Sequence, residues 1–292
     1  TVEEGNFGDI YWKYKADEGR LSFTGSGELP DFTSDSPAPW SEYMGSIQTI
    51  GADSLSGIGD SSFCQAEKLI RVETNGGLKK VGSHAFAGCG SLCFLDLSAL
   101  EDIGSGAFEN NVSLGDIVLE KTRSVGSGAF KGCTAITEVA FGNSLTTLEE
   151  GAFTDCTAIT EVIFGNSLTS LGKEVFAGCT ALNNIVLPDS VAAIKDGAFK
   201  GCASLRTINI PAVVAEIGNA AFSEDAKLEK VYFYGGLPEQ WGDDSFTGCS
   251  DSLTIYYRKP QTTWEQLGGV WNGIPVQGQD KFYTERRDHY SF

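Results

Sequence analysis

The chain has 292 residues, 41% of them apolar, with a formal net charge of −18 and a pI near 4.4. Such acidity argues against nucleic acid and anionic membrane surfaces as partners. No stretch approaches the roughly 18 consecutive apolar residues of a membrane-spanning helix, so no membrane insertion is expected.

Residues 1–46 differ in pattern from the rest of the chain. Ile10-Tyr-Trp-Lys-Tyr14 and Leu21-Ser-Phe23 alternate around an Ala-Asp-Glu-Gly turn and predict an N-terminal β-hairpin cap. Pro37, Trp40 and Tyr43 are expected to wedge against a first coil whose strand falls near Ile47–Ile50. No export leader is visible, and the start at Thr1 points to its removal.

Residues 47–257 repeat. Phenylalanine recurs at 63, 86, 108, 130, 153, 176, 199, 222 and 246, in steps of 22 to 24 residues. Five positions before each lies a branched apolar residue, from Ile58 and Val81 to Ile194 and Ile217, with Trp241 in the last copy. Leu or Ile comes six positions after, as at Leu69, Ile136 and Ile159. This period and skeleton fit a leucine-rich repeat solenoid of about nine coils. Within each coil, alternating pairs such as Val139/Phe141, Val162/Phe164 and Ile208/Ile210 predict a strand with one buried face. Stacked coils would join these strands into a parallel sheet on one face. The Gly-x-x-Ala-Phe-x-x-Cys segment is too short for a long helix and predicts a turn plus about one helical or 3₁₀ turn on the other face. Residues 258–292 lose the pattern. Trp264 and Trp271 predict a C-terminal cap, and the stretch containing Arg286-Arg287 reads as a tail.

Six of the eight cysteines sit three residues after a repeat phenylalanine: Cys89, Cys133, Cys156, Cys179, Cys202 and Cys249. In-register stacking points these side chains the same way, which suits a buried column better than disulfides or a zinc site. Cys64 and Cys93 fall outside the column. Asn111-Val-Ser113 is a formal glycosylation sequon, but it occupies the buried column. No cofactor is implied. Catalytic motifs of the GxSxG, HExxH and P-loop kinds are absent from the sequence, and His84 takes a turn position of the repeat, so no catalytic residue is assigned.

The units Gly126-Ser-Gly-Ala-Phe-Lys-Gly-Cys133 and Ile185-Val-Leu-Pro-Asp-Ser-Val-Ala-Ala-Ile194 resemble the BspA-like leucine-rich repeats of bacterial surface proteins. The segment Gly19 to Phe32, with Ala38-Pro-Trp40 after it, also resembles the stretch that precedes such repeats. The resemblance implies an exported, surface-associated adhesion protein without enzyme activity, whose partner is an extracellular or host protein.

The residues eight and ten positions after each phenylalanine should point away from the core and form stripes across the sheet. In the first stripe Asp116, Glu138 and Glu161 make an acidic run that repels itself unless a cation or basic partner is present. In the second, Val118, Ala140, Ile163 and Val186 make an apolar run. Tyr232, Tyr234 and Tyr256 add an aromatic cluster of the kind enriched at recognition surfaces. The candidate ligand-binding face is therefore Asp116, Val118, Glu138, Glu161, Ile163, Val186, Tyr232, Tyr234 and Tyr256. Protein binding through this face is the expected function. The alternatives are a spacer rod with no ligand of its own, or a glycan surface at the tyrosines.

Overall fold

In the computed structural model, which describes residues 2–282, the recurring phenylalanines form a single column. Rings from Phe63 to Phe246 stack in chain order with centroids 5.1–5.8 Å apart. All but Phe246 are fully buried. About ten coils wind around this column, with parallel strands and little helix.

Most coils contribute to two sheets. The expected strands run from Thr49–Gly51 and Arg71–Glu73 through Glu138–Phe141 and Glu161–Ile163 to Lys230–Phe233 and Thr254–Arg258. They pair in parallel, but in three separate groups rather than one continuous sheet. One break falls at the coil of Phe86, where only a single bridge joins Arg71 to Phe94. There Asp96 accepts a hydrogen bond from the Ser98 N–H at 2.9 Å, a tight turn that takes the chain out of extended geometry. A second, ten-stranded sheet is built mostly from two-residue strands that carry the residue five positions before each phenylalanine. Val125 pairs with Leu148, and Ile194 with Ile217, in this way. Two residues are too few to show an alternation, so this pairing leaves no period in the sequence.

The segment around each phenylalanine is a chain of turns without the expected helical turn. In the coils of Phe63 to Phe222, two residues adopt the left-handed backbone conformation, two before and two after the ring. Around Phe130 these are Gly128 and Gly132, and around Phe176 Glu174 and Gly178. A right-handed helix cannot pass through either position. The phenylalanine N–H donates instead to the next coil, as Phe108 does to Ala129 O at 2.7 Å and Phe130 to Ala152 O at 2.8 Å. His84 holds one of the left-handed positions and is exposed there.

At the N-terminus, strands Val2–Phe7, Ile10–Lys15 and Arg20–Thr24 pair antiparallel, and the third then runs parallel to Thr49–Gly51. The sequence gives no sign of the Val2–Phe7 strand, because Val-Glu-Glu-Gly-Asn-Phe is poor in strand-forming residues. Trp40 stacks on Phe63 at 5.6 Å and extends the ring column by one rung. Phe7, Trp12, Phe23 and Phe32 meet it edge-on, and its indole N–H donates to Ser62 O at 2.9 Å. At the other end, Ile274–Gln279 pairs in parallel with Thr254–Arg258 and antiparallel with Val270–Trp271. Trp264 is buried, and Trp271 packs 4.3 Å from Trp241. Arg286 and Arg287 lie outside the described residues.

The cysteine column lies beside the rings. Each of its six thiols donates to the phenylalanine carbonyl of the preceding coil at 3.1–3.3 Å, from Cys89 to Phe63 O through Cys249 to Phe222 O. Burial pushes these thiols up, to about 12 at Cys89 and Cys133. They serve as buried hydrogen-bond donors, and thiols that stay protonated are poor nucleophiles. Cys64 is half-buried and Cys93 exposed, both as free thiols. Asn111 takes the cysteine place in its coil, and its amide nitrogen donates to Phe86 O and Phe108 O at 2.8 and 2.7 Å. Its side chain is fully buried, as the column position requires.

Asp225 takes the same place one coil before Cys249. Its Oδ1 accepts from the Cys202 N–H at 2.7 Å, while Oδ2 is buried with no partner. Burial pushes its carboxyl up to about 9 against hydrogen bonds that favour the charged form, so the group stays protonated at neutral pH. A protonated carboxyl, like a thiol, is a donor. Because the folded chain holds this proton above the unfolded value near 3.8, its stabilising effect is full below that value. It is lost progressively as pH rises toward about 9. We predict that Asp225→Asn, which restores the amide donor seen at Asn111, flattens this dependence. In urea unfolding the variant should match the parent near pH 4 and exceed it at pH 8, whereas parallel profiles would contradict the assignment.

Candidate protein-binding face

The outward side chains of the strands form the predicted stripes, because parallel pairing sets equivalent residues side by side. Val118 registers with Ala140, Ala140 with Ile163, and Glu138 with Glu161. Exposure varies along the apolar stripe. Val118 is 42% exposed, Ile163 and Val186 are half-buried, and Ala140 is buried. The stripe is thus open at Val118 and partly sunk farther along.

The acidic stripe does not behave as a run of equivalent free charges. Asp116 Oδ1 accepts from the Thr137 N–H at 2.9 Å, the Thr137 hydroxyl at 2.7 Å and the Glu138 N–H at 2.9 Å. Burial pushes this carboxyl up, but the three bonds outweigh it and hold the group below the ordinary aspartate value. Asp116 therefore caps the start of the next strand. Glu161 accepts a hydrogen bond from the Asn184 side chain. Glu138 is exposed between them and lies beside Glu161 in register. Inter-coil bonds thus relieve part of the repulsion that the sequence suggests. The same use of acid recurs on other coils, where Asp60 and Asp196 accept from the N–H groups of Ser83 and Asn219.

The tyrosine cluster assembles at the C-terminal end of the face. Tyr232 and Tyr256 register side by side and stack at 4.9 Å with planes 19° apart. Strands about 4.8 Å apart leave no room for two rings lying flat, so the rings stand on edge against each other. Phe282, which has no place in the repeat, meets Tyr232 at 5.1 Å and Tyr234 at 4.9 Å, edge to face. At the opposite end, Phe94 is 52% exposed beneath the Arg71 guanidinium, 4.6 Å from its ring centroid. Phe94 departs from the polar and charged residues that hold most of its column. That departure was the available signal for an aromatic site there. Among the described residues, no group of three or more His, Cys, Asp or Glu is placed to hold a metal ion. No helix among them is long and apolar enough to cross a membrane.

A family model described as BspA type leucine rich repeat region, in six copies, matches residues 43–160 and 146–266. Among solved structures, the chain is similar to a leucine-rich repeat protein from Eubacterium ventriosum ATCC 27560. The two share 17% identity over 89% of this chain and 79% of that one, with a TM-score of 0.56. It is also similar to a leucine rich cell surface protein from Faecalibacterium prausnitzii A2-165, at 22% identity over 96% of this chain and 95% of that one, with a TM-score of 0.53. At these identities the likeness establishes the fold. No curated protein matches.

The two acidic roles separate by mutation. Asp116→Ala removes an exposed cap that accepts three hydrogen bonds, which water replaces only in part, and should cost about 1 kcal/mol in urea unfolding. Glu138→Ala, exposed on the same stripe, should stay within about 0.5 kcal/mol of the parent. Equal losses would contradict the cap.

Proposed function

The chain belongs to the BspA-type leucine-rich repeat family, and from that premise we propose that it is an exported or cell-surface binding module that recognises an extracellular or host protein through its strand face. Leucine-rich repeats of this kind generally serve binding or structural roles rather than catalysis. The observation that carries the reading is the outward stripe itself. Side chains on successive strands line up across it, with exposed Phe94 and Val118, half-buried Ile163 and Val186, and stacked tyrosines at its end. Aromatic anchors beside apolar surface, with charge at the margin, are what protein recognition surfaces use. The similarity to a bacterial cell surface protein supports an extracellular location.

Glycan binding receives less support. Sugars stack on ring faces, and Tyr232 and Tyr256 turn their faces toward each other. The spacer reading draws on the unbroken ring column, which would stiffen the chain whatever it binds.

The test passes the purified protein over a panel of extracellular-matrix and host surface proteins together with a glycan array. It then repeats any hit with the double variant Val118→Glu and Glu138→Lys, which leaves the Asp116 cap intact. A protein hit weakened tenfold or more by the variant is expected. A hit indifferent to it would move recognition off this face, and silence across both panels would favour the spacer.

A further inference from the structure

The tyrosine end of the strand face already holds an occupant from the chain itself. Phe282 lies three residues beyond the strand that ends at Gln279, and residues 280–282 pair with no strand. Its ring sits edge to face on Tyr232, with planes at 67°, and on Tyr234, at 84°. Phe282 itself is only half-buried. Beside the cluster, on the neighbouring strand, Asn209 registers with Tyr232, and its Oδ1 is buried without a donor.

Edge-to-face pairs add only a modest gain beyond their buried area. Ordering residues 280–282, which no strand holds, costs backbone entropy that offsets it. The contact persists because it is tethered, and a short tether supplies an effective concentration on the order of millimolar. A partner that offers the same ring and further contacts along the face can therefore replace it. Phe282 also leaves the Asn209 acceptor unsatisfied, which a backbone N–H of an incoming segment could fill.

Resting on the strand face as the recognition surface, we infer that Tyr232, Tyr234 and Tyr256 form a seat for an aromatic side chain of a protein partner, and that Phe282 is an intramolecular occupant which the partner displaces. The fit selects an aromatic ring set T-shaped to the tyrosines, because Phe282 already shows that geometry. A sugar would need an open ring face and is not the expected ligand.

An assay with the chain's own segment tests this. The probe is an acetylated peptide of residues 277–282 carrying 4-fluorophenylalanine at its last position, titrated by ¹⁹F NMR. Phe282→Ala should bind it with a Kd in the millimolar range and at least about threefold more tightly than the parent, whose tethered ring competes. Adding Tyr256→Ala to Phe282→Ala should abolish binding, with folding confirmed by circular dichroism. Equal binding by the parent and Phe282→Ala, survival of binding without Tyr256, or no binding to either protein would overturn the proposal. So would a solvent-exposed ¹⁹F shift from 4-fluorophenylalanine placed at position 282 of the full chain, a measurement that needs no destabilising variant. The assay uses no external partner. Its failure would sink the Phe282 inference alone, and a silent protein panel would leave its result standing.

Discussion

Every feature of this protein depends on one constraint: a coil of about 23 residues has a core edge that only the next coil can cover. The ring column from Trp40 to Phe246 satisfies that constraint by stacking like on like, so each phenylalanine is both knob and floor for its neighbours. The ends must then be closed by something other than a repeat. At the start a tryptophan surrounded by edge-on aromatics tops the column, and at the finish Trp264 and Trp271 pack beside the last coils. In a solenoid of this kind stability is close to a sum of coil and interface contributions, so a weak interface is felt by both of its sides.

Polar groups trapped beside the rings obey the same repeating logic. A phenylalanine carbonyl faces the core in each coil, and a buried carbonyl without a donor costs free energy. Cysteine supplies a small, weakly polar donor at six positions, and asparagine supplies one at Asn111. Asp225 takes the place differently: burial keeps its carboxyl protonated, Oδ1 accepts from the Cys202 N–H and Oδ2 meets no partner. The exposed acids are put to a related use. Asp60, Asp116 and Asp196 each accept from the backbone of the following coil, so part of the acidic composition is inter-coil bonding rather than bare surface charge.

Much of the fold was legible in the sequence because the repeat writes it nine times. The phenylalanine period, the buried cysteine column and the outward stripes all follow from spacing alone. What stayed hidden has physical reasons. The second sheet uses strands of two residues, too short to leave a pattern, and left-handed residues such as Glu174 suppress the expected helical turn without a glycine to announce it. Asp116 reads as a surface charge, since nothing in its own coil reveals that its partners are Thr137 and Glu138. Phe282 lies outside the repeat, so no register places it on the tyrosines.

Inter-coil ring stacking holds the strand face together, and hydrogen exchange on Phe153→Ala tests this most directly. Phe153 lies mid-column, stacked 5.1 Å from Phe130 and 5.7 Å from Phe176. The account predicts that the strands Glu138–Phe141, Glu161–Ile163 and Asn184–Ile185 lose protection together, on both sides of the substituted coil. Loss confined to the coil of residue 153, with its neighbours as protected as in the parent, would contradict it.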